Sequence, residues 1–191
     1  MIVKTFPVPP LGCNCSIIGD PVTKRAIVVD PGGAVEQILK EVQSLGLTVE
    51  RILHTHAHFD HFLASSELKR ATGAMLCLHE QDKLLWEKLD VQCKLFGVAS
   101  APALMPEHFL KDEEQIEVGE LQGIALHTPG HTPGSMSFHF PSAQLVLAEF
   151  LLEPAHHPVA PVDLELQAVG VRYCRRERRD EGDHFDITAV C

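Results

Sequence analysis

The chain has 191 residues, 45% of them apolar and 22% charged, with a formal net charge of −10. The length fits one ordinary domain, the composition excludes a disordered or collagen-like chain, and the acidic balance argues against nucleic acid and anionic membranes as partners. No stretch approaches the ~20 apolar residues of a membrane helix. Met1–Pro10 lacks the features of a signal peptide, so a cytoplasmic protein with reduced cysteines is expected.

In chain order, Met1–Phe6 and Cys15–Ile18 read as short strands, and Arg25–Asp30 as an apolar strand ending at Asp30-Pro31-Gly32-Gly33. Val35, Ile38, Leu39, Val42 and Leu45 follow helical spacing, and Gly46 supplies the stop. Val49–Leu53 is a strand, Phe62–Ala71 a short helix, Ala74–Leu78 a strand and Glu80–Phe96 a longer helix. Val98–Phe109, with Pro102 and Pro106, reads as a loop; Glu114–Val118, Ile124–His127, Ser135–Phe140 and Gln144–Glu149 read as strands. Alternating strands and helices followed by a run of strands indicate a layered α/β sandwich.

The composition is unusual in its twelve histidines. Four potential ligands fall within six residues in Thr55-His56-Ala57-His58-Phe59-Asp60-His61, at a strand-to-helix turn. Alternating side-chain direction lets His56 and His58 point the same way, and Asp60 and His61 follow where the chain enters the helix. Packing such groups at one turn is costly unless something neutralises them. The constellation can hold two cations, one by His56 and His58, the other by Asp60 and His61. Nitrogen and carboxylate ligands suit zinc (Zn2+, up to two ions), and also iron or manganese. Cys13-Asn14-Cys15 is read as buried strand cysteines, and Cys77 has no identifiable catalytic partner.

The THAHFDH segment resembles the HxHxDH signature of the metallo-β-lactamase superfamily. Asn14-Cys15, Val29-Asp30-Pro31-Gly32-Gly33 and Thr128-Pro129-Gly130-His131-Thr132-Pro133-Gly134-Ser135 resemble its glyoxalase II-like branch, the hydroxyacylglutathione hydrolases and their small bacterial relatives. The resemblance covers residues 1–150 and implies an α/β fold of the αββα sandwich type, with the metal site at one edge between two sheets. It adds His131 to His56 and His58 as a ligand of the first metal. It implies hydrolysis of a small-molecule thioester such as an acylglutathione by a metal-bound hydroxide, with Asp60 as ligand and proton acceptor. His54 and His127 are expected to pack or to orient ligands, and His79, His108 and His139 to lie at the surface.

The resemblance stops near Ala148. Where relatives carry an aspartate bridging both metals, this chain has Glu149-Phe150: an ungapped alignment places Phe150 there, a one-residue gap Glu149, which then becomes a metal ligand. The family's last histidine is also missing, with His184 the only candidate at a comparable distance. Residues 1–153 carry eight lysines and three arginines, whereas 154–191 carry no lysine and five arginines. The expectation is therefore a metallo-β-lactamase-like domain over 1–153, an atypical tail over 154–191 from a shifted reading frame or a replacement, and an incomplete C-terminal part of the fold. Two alternatives follow: a metal-binding protein with impaired catalysis, and an iron-dependent persulfide dioxygenase of the same superfamily.

Overall fold

Period-two burial organises the first sheet. The computed structural model describes residues 1–148; Glu149, Phe150, His184 and the tail lie outside the described residues. Strands β1 (Ile2–Val8), β2 (Cys13–Gly19), β3 (Arg25–Val29), β4 (Thr48–Leu53), β5 (Met75–His79) and β6 (His108–Leu110) form one sheet in that order. The first three run antiparallel, and the β3–β4, β4–β5 and β5–β6 pairs are parallel. Parallel neighbours need crossovers, which the helices supply.

Along these strands successive side chains face opposite sides. Ile17, Val28, Ile52 and Leu76 join one apolar cluster with Val35 and Ile38 of helix α1 (Val35–Ser44) and Leu68 of α3 (Ser65–Thr72). Ile18, Val29, Leu53 and Cys77, one residue further on, join a second cluster with Ile116, Ala125, Phe138 and Leu145. The latter come from a four-stranded antiparallel sheet, β7 (Glu114–Val118), β8 (Leu121–His127), β9 (Met136–Phe140) and β10 (Leu145–Leu147), ordered β10-β9-β8-β7. Helices therefore cover one face of the first sheet and the second sheet covers the other. Every strand of the first sheet from β2 to β5 is buried on both faces, as parallel sheets require.

Several elements differ from the sequence expectation. The end of the motif is helical: α2 (Phe59–Phe62) precedes α3, so Asp60 and His61 sit on a helical turn while His58 is its extended N-cap. The expected helix over 80–96 is broken into a 3-10 turn (Glu80–Asp82), α4 (Lys83–Glu87) and α5 (Leu89–Leu95). The break at Lys88 turns α5 toward the histidine loop, where Gln92 bonds to Phe59 N and Ala57 O. The expected loop over 98–109 ends in β6, whose first partner is Cys77. Among the described residues no helix is long and apolar enough to cross a membrane.

Candidate metal centre

The parallel register brings the β3 and β4 ends together, because Val29 pairs with Leu53. Asp30 and the His54–His61 segment therefore leave the sheet side by side, at the carboxyl ends of their strands. Gly32 permits the close approach of the next turn: a Cβ there would lie 1.6 Å from the Asp60 carbonyl oxygen. His131 arrives from the second sheet, in the turn between β8 and β9.

Three imidazoles converge. His58 Nδ1 lies 2.9 Å from His131 Nε2, which lies 3.1 Å from His56 Nε2. The three ligand atoms all fall within 4.8 Å of one another. His56 is fully buried. Burial, followed by the fields of His61, His58 and His131, holds its imidazole far below the ordinary histidine range. Burial and then His131 also lower His58. Both shifts favour neutral rings that offer lone pairs.

The orientation of His56 follows from its neighbours. The Thr55 hydroxyl donates to Asp30 Oδ2 at 2.7 Å and lies 3.0 Å from His56 Nδ1. Its one hydrogen being used, it accepts from Nδ1–H, which leaves the Nε2 lone pair facing the cluster. A carboxylate–hydroxyl–imidazole relay of this kind fixes tautomer and ring angle. Asp30 also accepts from Thr55 N at 2.8 Å and from His61 Nδ1 at 3.2 Å. His61 thus turns Nε2 toward Asp60, whose Oδ2 lies 3.6 Å away. Asp60 and His61 form a second donor pair beside the triad, with His56 and His61 ring centroids 4.1 Å apart.

The donor set fits a cation. A single hydrogen on His131 Nε2 would have to serve both neighbouring nitrogens, whereas one cation accepts three lone pairs at once. Zinc–imidazole bonds of about 2.0–2.1 Å at tetrahedral angles place nitrogens roughly 3.3 Å apart, against 2.9 Å and 3.1 Å for the two contacts of His131. A cavity of about 290 Å³ opens beside the second pair, lined by Leu11, Cys13, Asn14, Asp30, Asp60 and His61 among others.

Residues 8–148 match the model of the family described as the metallo-beta-lactamase superfamily. The chain belongs to the metallo-β-lactamase superfamily. Hydroxyacylglutathione hydrolase GloC of Haemophilus influenzae is 36% identical over 142 residues, 72% of this chain and 66% of that protein. The chain thus spans about two thirds of that relative's length. Among solved structures, TTHA1623 in a di-iron-bound form aligns with a TM-score of 0.70 and 29% identity, over 85% of this chain and 78% of that one. The B3 metallo-beta-lactamase BLEG-1 aligns with a TM-score of 0.68 and 29% identity, over 76% and 70%. The chain has the metallo-β-lactamase fold, and its similarity to GloC agrees with the glyoxalase II-like branch.

Within that superfamily fold, His56, His58 and His131 come together and Asp60 with His61 lies alongside; Glu149 is outside the described residues. His54 is a packing residue. It is fully buried, with Nδ1 2.8 Å from the Cys77 carbonyl and Nε2 2.7 Å from Ser65 Oγ. His127 stands 2.9 Å from the Pro133 carbonyl and so braces the turn that carries His131. His79 stacks on His127, with centroids 4.1 Å apart. Cys15 is buried as expected, but Cys13 is half-buried, with Sγ 2.6 Å from the Asp60 carbonyl oxygen. Burial pushes the Cys77 thiol up to about 12, which removes it as a nucleophile.

Three supporting roles are not legible in the sequence: Asp30 and Thr55 as an orienting pair, and Gln92 as a clamp on the histidine loop. Asp30 and Thr55 stood inside recognised motifs, yet their mutual bond depends on the β3–β4 register. Gln92 is separated from Ala57 by 35 residues and looks like any polar helical residue.

Proposed function

We propose that this chain is a metal-dependent hydrolase that cleaves a small thioester such as an acylglutathione. The observation that supports this most directly is the convergence of His56 Nε2, His58 Nδ1 and His131 Nε2 on one point, with Asp60 and His61 beside it. In this reading the three histidines hold a first cation, preferably zinc, and Asp60, His61 and Glu149 contribute to a second. When bound, such cations supply Lewis acidity and a nucleophilic water at neutral pH.

The chain's own residues do the rest. Burial disfavours protonation of His56 and His58, which keeps their lone pairs available to a cation. Asp30 holds His56 through Thr55 and His61 directly, keeping both rings aimed. Asp60, which lines the cavity, accepts a proton at its carboxylate, and the cavity walls bring the thioester against the site. The catalytic unit is assigned to residues 1–153, with 154–191 an atypical tail, in a cytoplasmic protein.

The similarity to a di-iron-bound structure supports iron as an alternative metal; the second reading is a persulfide dioxygenase with a single iron. One assay series separates the two. Hydrolysis of an S-acylglutathione that disappears with chelator and returns with zinc supports the hydrolase. Thioesterase activity that survives complete metal removal would overturn it. Persulfide-dependent oxygen uptake restored by iron, with no thioester cleavage, would favour the second reading.

A further inference from the structure

His56 and His58 belong to the first sheet and His131 to the second, so the cluster depends on how two loops from different sheets are locked together. Geometry of this kind must hold to fractions of an ångström. Asp82 sits at that junction. It is fully buried, and among the described residues no lysine or arginine pairs with it. Its charge is met instead by three donors. Oδ2 accepts from the Ala57 amide at 2.9 Å and the Thr132 hydroxyl at 2.7 Å, and Oδ1 accepts from the Gly134 amide at 2.7 Å. Ala57 lies between His56 and His58, and Thr132 follows His131.

The fit leaves no slack. A Cβ at position 134 would lie 2.7 Å from both the Asp82 carboxyl carbon and its backbone nitrogen, so glycine there lets the second loop close onto the carboxylate. Thr132 is held a second time, its amide donating to Ser135 Oγ at 2.9 Å. Charge-assisted bonds to a buried carboxylate are stronger than neutral ones, and losing one partner leaves the others uncompensated.

We propose that Asp82 is the positioning residue that fixes the His131 turn against the His56–His58 loop and so sets the geometry of the three-histidine cluster. This rests on the reading of that cluster as a metal site. An asparagine at 82 cannot accept at both ends, so one donor would face an amide N–H.

The test is Co(II) titration of the full chain, following visible absorption together with thermal melting. His58→Ala controls for binding at the triad. Asp20→Asn, which breaks a hydrogen-bonded carboxylate remote from the triad, controls for general destabilisation. Asp82→Asn should weaken Co(II) binding about 10- to 100-fold and alter the absorption band. Thr132→Val, which keeps the buried carboxylate but loses the hydroxyl's bonds to Asp82 and to Ser135 Oγ, should weaken it about 2- to 10-fold; it decides the matter if Asp82→Asn does not fold. Asp20→Asn should bind Co(II) as the parent does. Parent-like affinity and spectrum in both Asp82→Asn and Thr132→Val would overturn the role of Asp82 while leaving the metal site intact. Equal losses in Asp20→Asn at equal melting temperature would reduce it to general stability. No binding by the parent chain would instead overturn the metal site itself.

Discussion

His58 Nδ1 and His131 Nε2 lie 2.9 Å apart, although 73 residues separate them in the chain. Nothing local enforces that contact; it exists because β4 ends and the β8–β9 turn meet at one edge of the two sheets. His58→Ala should therefore leave the fold intact and remove most bound metal, since only two triad ligands remain. Metal content after dialysis, with circular dichroism as the fold control, checks this. Retention of the parent's metal content would place the ion elsewhere.

Asp30 carries a different kind of load. It serves Thr55 through two bonds and His61 through a third. Asp30→Asn should lower metal affinity by about 10- to 100-fold, the usual effect of losing an orienting partner. Thr55→Val should act in the same direction through His56 alone. Competition against a chromophoric chelator measures both.

The β2–β3 turn gives a prediction about acid stability. Asp20 accepts from the Thr23 hydroxyl at 2.6 Å, the Glu120 amide at 2.8 Å and the Val22 amide at 2.9 Å. The Thr23 bond first, then the Glu120 amide, lowers its carboxyl from 3.8 to about 2. A carboxyl lowered on folding stabilises the native state above its unfolded pKa, and that contribution is lost as pH falls from about 4 to about 2. Asp20→Asn should therefore lower the melting temperature at pH 7, and the difference from the parent should shrink toward pH 2. A difference that is constant across that window would show that the carboxylate's charge is irrelevant.

The α1 helix was legible because its apolar spacing and Gly46 stop are local signals, and the structure buries Val35, Ile38 and Val42 as that spacing requires. The His56–His61 motif was legible for the same reason: its ligands are crowded into one turn. Asp82 and Gln92 were not, because each acquires its role only when the segment after β5 folds back over the histidine loop. Strand β6 was hidden by the proline-containing segment before it; it forms because β5 presents an open edge at Cys77.

Stoichiometry follows from the sequence beyond Ala148. Two cations a few ångströms apart repel, and a bridging carboxylate offsets that repulsion. On the expectation that Glu149-Phe150 stands where relatives carry a bridging aspartate, the second ion is held more weakly than the first: one tightly held metal per chain is expected, and hydrolysis below that of relatives with the aspartate. Replacing Phe150 by aspartate and Glu149 by glycine should raise the count to two and speed turnover. Tight binding of two ions by the unaltered chain would contradict this.

The most direct measurement is X-ray absorption at the zinc edge of the full chain loaded with one equivalent of zinc. Imidazole scattering from three nitrogens at about 2.0–2.1 Å, reduced in His131→Ala, is expected for an ion held by His56, His58 and His131. A sulfur shell at about 2.3 Å, or a spectrum unchanged by His131→Ala, would contradict it.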